Sequence, residues 1–282
     1  MSPTPSPPGV AILMYHSIAP AGTDAFGELT VPPSLFAEHL AALVESGCEL
    51  VRVAEVPALL AQPPARGPRV AITLDDGLAD VATGAAPALA AHGLPATLFV
   101  PSAYVGDRAR WLSGADARRP LLSWSELAQL ADAGLEIGSH GHLHLAADVN
   151  DPAHVREDAI RSRATLEERL ARPVRSYAYP FGYRTPRAGA AVAQAGFAQA
   201  CAVAELPAVA GEDRFALPRL HARPHTTPEE LVALVRHRPA GALRRWAHAK
   251  QSLWRAGRRL AGWGPAEAGV LSPERLAIEL GA

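Results

Sequence analysis

Hydrophobic and polar positions along this chain switch repeatedly between two periods. Short apolar, often β-branched runs fall at residues 10–16, 49–53, 69–74, 96–100, 135–139, 174–179 and 197–203, and each reads as a buried strand. Between them lie stretches with helical spacing. Leu35, Phe36, His39, Leu40, Leu43 and Val44 mark a helix over 34–47, with Ser34 as its expected cap. An Ala-rich helix over 79–92 is closed by Gly93. Ser123 and Glu126 form a capping box for a helix to about 133, and Asp151-Pro152 opens a long one to about 171. Two more are expected over 187–195, stopped by Gly196, and from Thr227 onward. A Pro-rich linker covers 62–68. Strands alternating with helices about seven times predict a parallel sheet wrapped by helices. In such folds the reactive side chains gather at the carboxyl ends of the strands. The polar clusters of this chain, at His16, Asp75-Asp76, His140–His144 and Tyr179–Gly182, all fall at such ends.

Two of these clusters suggest chemistry. Asp75 and Asp76 follow an apolar strand, where two carboxylates resist burial unless a cation is present. The Gly77 that follows permits a sharp turn, so that both carboxylates can face one pocket; a plain Asp-Gly turn capping the next helix is the simpler alternative. Ser139-His-Gly-His-Leu-His144 holds three imidazoles in five residues. A helical turn would bring His140 and His144 onto one face and point His142 away. With one carboxylate they make a two-His, one-carboxylate site with open positions, a pattern used by zinc hydrolases and by non-haem iron oxygenases.

Thr73-Leu-Asp-Asp-Gly77, Gly138-Ser-His140 with His144, Tyr177-Ala-Tyr-Pro-Phe-Gly182 and Met14-Tyr-His-Ser17 resemble motifs of the polysaccharide deacetylases, the first two in the family's order and spacing. These deacetylases form the NodB-homology or carbohydrate esterase 4 family, and the resemblance is to the branch that includes poly-N-acetylglucosamine deacetylases, over about residues 10–235. It implies a distorted (β/α)7 barrel that removes an N-acetyl group from an N-acetylhexosamine unit of a glycan or saccharide precursor. By position it makes Asp75 the general base and Asp76, His140 and His144 the ligands of one divalent metal ion, Zn2+ first among them. It draws the general acid from the opening strand, at His16, with His221 as the rival. Tyr179, Pro180, Phe181 and Arg219 become candidates for substrate contact, and Trp111, Trp124 and Tyr183 for stacking on the sugar. The sequence also departs from the family. Gly141 stands where Thr is usual. The Arg-x-x-Pro-Tyr form of the third motif is missing, with Arg184 and Arg219 as candidate replacements. The acidic fourth motif and the Leu-x-His of the fifth have no clear match; Leu220-His221 is only adjacent. Other readings are an amidase acting on a non-sugar C–N bond, an iron oxygenase on the same ligands, and a binding module with a dead site. The intact Asp75 beside Asp76 argues against the last two.

Charge adds one feature. Residues 1–235 carry 18 Lys and Arg against 25 Asp and Glu, while residues 236–282 carry 9 against 3. The body therefore has no nucleic-acid footprint. The tail holds Arg236, Arg238, Arg244, Arg245, Lys250, Arg255, Arg258 and Arg259, with Leu243, Trp246, Leu253, Trp254 and Leu260 at roughly helical spacing. That composition suits an amphipathic helix, lying on an anionic membrane through residues 241–263 or docking on the acidic body. The expected organisation is a Pro-rich leader (1–9), a catalytic domain (10–235) and the basic tail (236–282). Cys48 and Cys201 lie far apart and read as buried thiols of a reducing compartment. The first residues have neither the cationic start nor the apolar stretch of a secretory signal, so a cytoplasmic setting is expected.

Overall fold

The computed structural model describes residues 9–20, 25–63 and 67–237. Seven parallel strands form the frame: β1 (Gly9–Tyr15), β2 (Arg69–Leu74), β3 (Thr97–Val100), β4 (Glu136–Ser139), β5 (Ser176–Ala178), β6 (Gln199–Cys201) and β7 (Leu220–His221). They pair in sequence from β1 to β6, and β7 returns to pair with β1 through Leu13 and Met14. Between β6 and the run into β7 the contact narrows to one parallel bridge, Cys201 to Leu217. There Leu217 N donates to Ala200 O at 2.9 Å and Ala202 N to Leu217 O at 2.8 Å. The parallel sheet that the alternation of periods predicts thus curls into the distorted (β/α)7 barrel that the family resemblance implies. Glu49–Val51 pairs beside the start of β2, and Ala208–Val209 runs antiparallel to the start of β1.

Strand parity decides what faces inward. Successive strand residues point to opposite faces. Ala11, Leu13, Val70, Ile72, Leu98, Val100 and Ile137 pack outward in the larger apolar cluster with the helices. Val10, Ile12, Ala71, Phe99, Ala178, Cys201 and Leu217 form a separate cluster inside the barrel. Both faces are dry, which is why the strands read as unbroken apolar runs. Continuing the inward parity past the strand ends gives His16 after Val10 and Ile12, Asp75 after Ala71, His140 after Gly138, and Arg219 and His221 after Leu217. The same two-residue period that fills the barrel therefore delivers polar groups to its carboxyl mouth.

Three of the four capping predictions hold. Ser123 Oγ accepts from Glu126 N and Glu126 accepts from Ser123 N at the start of Trp124–Asp132. Asp151 accepts from Ala153 N for Pro152–Leu170, and Thr227 with Glu230 closes the same box for Pro228–Arg236. Ser34 is not a cap: the first helix is Pro33–Glu45, one residue earlier, with Pro32 outside it and Pro33 at its first position. The helix expected at 79–92 opens as a wide π turn, Val81–Ala85, before Ala86–Ala91. There Asp80 takes hydrogen bonds from Ser17 Oγ at 2.6 Å and Ile18 N at 3.2 Å, and a Cβ on Gly84 would lie 2.0 Å from Ile18 O. Gly84 is what lets the segment after β1 seat on this turn. Cys48 is only half-buried, against expectation, whereas Cys201 is fully buried inside the barrel; neither forms a disulfide. No helix among the described residues is long and apolar enough to cross a membrane. From residue 238 onward the basic tail lies outside the described residues.

Candidate active site

Asp76 sits just past β2 with φ 72, and Gly77 with φ 65. Two successive left-handed residues break the alternation of the strand, so Asp75 and Asp76 both reach the barrel mouth. Asp is one of the few non-Gly residues that tolerate this region.

Asp76 Oδ1 lies 3.3 Å from His144 Nε2 and 3.5 Å from His140 Nε2. All three side chains are buried, and their donor atoms lie within 4.8 Å of one another. The short spacings are long for hydrogen bonds but suit shared coordination. Two atoms each about 2.0–2.1 Å from a tetrahedral ion are about 3.4 Å apart. Burial raises the pKa of Asp76, but the two imidazoles outweigh it and hold the carboxyl well below the ordinary range. Burial also lowers the pKa of His144, which favours the neutral, ligating form. Ala178 O lies 2.9 Å from His140 Nδ1, which fixes the tautomer with Nε2 free for a metal. The residues present therefore fit a divalent cation.

The loop from His140 to His144 is not the helical turn expected. Gly141 (φ 75) and His144 (φ 55) are left-handed, and the ligands converge by reversal of the chain. Asp158, from the helix Pro152–Leu170, accepts from His142 N and Leu143 N, both at 2.8 Å. Ser102 N and Ser162 Oγ both donate to Gly141 O. His142 turns away, its Nδ1 2.8 Å from Ser102 Oγ. This explains the missing Thr: a Cβ at Gly141 would lie 2.7 Å from Asp158 Oδ2. Gly141→Ala should therefore destabilise the protein by about 1–3 kcal/mol, through positive φ and the displaced carboxylate. A urea melt tests this, and an unchanged midpoint would remove Asp158 as the loop's organiser.

Asp75 accepts from Arg219 Nη1 at 2.7 Å, and the same nitrogen lies 3.2 Å from Thr73 Oγ1. Both partners are almost fully buried. Burial pushes Asp75 up, but the guanidinium, helped by His140, holds its carboxyl below the ordinary value. Arg219 was a candidate both for substrate contact and for the missing family arginine; with no exposed surface it does not suit the first, and its pairing with Asp75 matches the second. Its signal was in the sequence: it precedes His221 by two, so both share the inward face of β7.

His16 and His221 stack, with ring centroids 6.4 Å apart and planes within 9°. Burial pushes His16 down to about 4, against the pull of Asp76 and Asp75. His221 Nδ1 pairs with the Glu205 carboxylate, which also accepts from His221 N at 3.2 Å. Glu205 was not foreseen; it lies in the connection between β6 and β7, where the sequence has no periodicity to read. Tyr179 and Pro180 are buried, and Tyr179 OH donates to Phe215 O, so neither side chain meets a substrate. Phe181 is half-buried, with its ring edge on His144. Trp111 is buried against His144 and is no platform for a sugar. Trp124 is half-buried against the core and under Arg169, and Tyr183 is half-buried near the mouth. Arg184 pairs with Asp213, not with Asp75.

Fold and site define an α/β barrel with an Asp-His-His cluster that could hold a metal ion beside a second, arginine-held carboxylate. A family model described as "Polysaccharide deacetylase" matches residues 62–200 of the chain. The chain is 26% identical over 180 residues to YxkH of Bacillus subtilis (strain 168), itself provisionally described as a polysaccharide deacetylase. That match covers 64% of this chain and 59% of YxkH, so the alignment spans under two thirds of that relative's length. Among solved structures, the deacetylase PplD of Streptococcus pyogenes, in complex with acetate, superposes with TM-score 0.73 at 23% identity, covering 82% of this chain and all of PplD (100%). IcaB of Ammonifex degensii superposes with TM-score 0.69 at 22% identity, covering 82% and 99%. These structural likenesses show the shared barrel.

Proposed function

We propose that this protein is a metal-dependent N-deacetylase that hydrolyses the acetamide of an N-acetylhexosamine unit in a glycan or saccharide precursor. The observation that carries the reading is the pairing of two unlike carboxylates at one barrel mouth. Asp76 faces two imidazoles, and Asp75 is held by a buried arginine. The name of PplD, a deacetylase solved with acetate, fits the same chemistry. Asp76, His140 and His144 would hold the ion, with Zn2+ the best match to two neutral imidazoles and one carboxylate. Such an ion supplies Lewis acidity toward the amide carbonyl and the attacking water.

The chain's own groups supply the rest. Asp75 takes the proton of that water at its oxygen free of Arg219, since Oδ1 is already engaged. Kept ionised at neutral pH, it is ready to act as a base. For the developing oxyanion, Tyr179 N is spent on Cys201 O, Gly182 N on Tyr179 O, and Pro180 has no N–H. That leaves the amide of Phe181 as the donor of this turn. His16, which shares the inward face with Asp75, is neutral at rest, so it serves as donor by relaying the proton that Asp75 takes from the water to the departing amine; His221, stacked on it, is the rival donor. A test of this choice compares one substrate releasing a basic amine with one releasing a better leaving group. His16→Ala should depress the first reaction at least tenfold more than the second, with metal content unchanged, since acid catalysis is worth about 100-fold or more. The selective defect appearing in His221→Ala instead would move the acid to the last strand.

The reading as a whole is tested by acetate release from a panel of N-acetylated saccharides, with metal-stripped and Zn2+-reconstituted protein. Acetate release from none of them, or equal release without metal, would sink it. The amidase reading predicts turnover of N-acetyl compounds that lack a sugar.

For the tail we propose peripheral contact with an anionic membrane through residues 241–263. Deletion of 241–282 should leave turnover of a small saccharide unchanged and abolish cosedimentation with anionic vesicles, as should high salt. Full-length protein that ignores such vesicles would refute the contact.

A further inference from the structure

The two histidines of the metal cluster are supported in different ways. His140 has a carbonyl on its Nδ1, the usual device for orienting a ligating imidazole. His144 has none: its Nδ1 is buried with no hydrogen-bond partner. Its ring is enclosed by π systems instead. The Trp111 indole lies flat against it, centroids 4.4 Å apart and planes within 16°, and Phe181 meets it edge-on at 4.8 Å and 82°. His144 also holds φ 55, a conformation that an L residue with a bulky side chain keeps only under restraint. Trp111 is itself fixed in a small apolar cluster with Phe26, Leu78, Leu112 and Leu121, and Tyr104 leans on it at 5.3 Å.

We infer that Trp111 is a positioning residue for the metal site, holding His144 by its indole face in place of the missing hydrogen bond. This rests on the assignment of Asp76, His140 and His144 as ligands. An imidazole that gives its Nε2 lone pair to a dication becomes electron-poor, and an indole face is the strongest π partner for an electron-poor ring. The stacking is therefore stronger with metal bound than without it, and the difference appears as metal affinity.

The experiment uses the full chain, stripped of metal, with Zn2+ affinity measured by competition against a chromophoric chelator. Trp111→Phe and Trp111→Leu both shorten the side chain, but only Phe keeps a π face. Loss of support for a ligand typically weakens binding by about 10- to 100-fold. The Leu variant should fall at the lower end of that range and the Phe variant between Leu and the parent. Equal affinities for Phe and Leu, or a Leu variant within twofold of the parent, would overturn the inference. Should the Leu variant fail to fold, the parent chain is produced with fluorinated tryptophans, which keep the shape and withdraw π density. Zn2+ affinity should then fall stepwise with fluorine number, and this trend should vanish in Trp111→Phe. A flat trend in the parent chain overturns the inference equally. A parent chain that binds no Zn2+ at all would instead remove the ligand assignment beneath it.

Discussion

Asp75→Asn is expected to keep its metal and lose turnover by about 100- to 10,000-fold, the usual worth of a general base. The substitution is nearly isosteric, and its amide oxygen can still accept the bond from Arg219 Nη1 that Asp75 Oδ1 accepts at 2.7 Å. What disappears is the negative charge, and with it the ability to take a proton. Metal content and kcat, measured on the same preparation, test this; a fall of less than tenfold with metal intact would place the base elsewhere. A second effect comes from Arg219. With Asp75 neutralised, its buried guanidinium has lost its counter-charge, a situation that is strongly destabilising. The sign of the pH dependence follows. The folded-state pKa of Asp75 is depressed, so the pair stabilises the fold at pH values above the ordinary aspartate pKa and loses this as pH falls through the depressed one. In Asp75→Asn that part of the acid-induced loss should be absent, and urea midpoints taken as a function of pH would show it.

Asp76→Ala, His140→Ala and His144→Ala are each expected to abolish stoichiometric metal binding, whereas His142→Ala keeps it. The three are the buried group whose donor atoms converge, while His142 is engaged with Ser102 on the other side of the loop. A two-ligand remnant loses a metal–ligand bond outright, an effect larger than any change in supporting residues. Measuring bound metal after dialysis separates the cases. Equal loss in His142→Ala would show that the loop turns over in solution and that the wrong pair had been chosen.

Much of this molecule was legible in its sequence because the relevant rules are local. The 69–74 strand was read to the residue because its apolar run is bounded by a linker and by Asp-Asp-Gly. Caps at Ser123, Asp151 and Thr227 were legible because a cap and the groups it bonds lie within four residues of sequence. The Asp76–His140–His144 constellation was legible because motif spacing carries it. Where local rules competed, the reading failed. Four-residue spacing suggested a helical turn at His140–His144, but Asp158, arriving from a helix begun elsewhere, organises a left-handed loop instead.

What the sequence determined by itself was the alternation of strand and helix, the inward parity of each strand, and the residue types gathered at its carboxyl end. Only the tertiary structure decided their partners. Arg219 and Asp75 are 144 positions apart and meet because β7 closes on β1, which brings its inward face next to that of β2. Trp111 and His144 lie on separate connections, and no periodicity relates them; they stack because the apolar cluster around Trp111 needs a wall at the barrel mouth. Strand order and parity follow from neighbouring residues along the chain, but which buried charge or ring answers another is fixed only when the barrel closes and removes both from water.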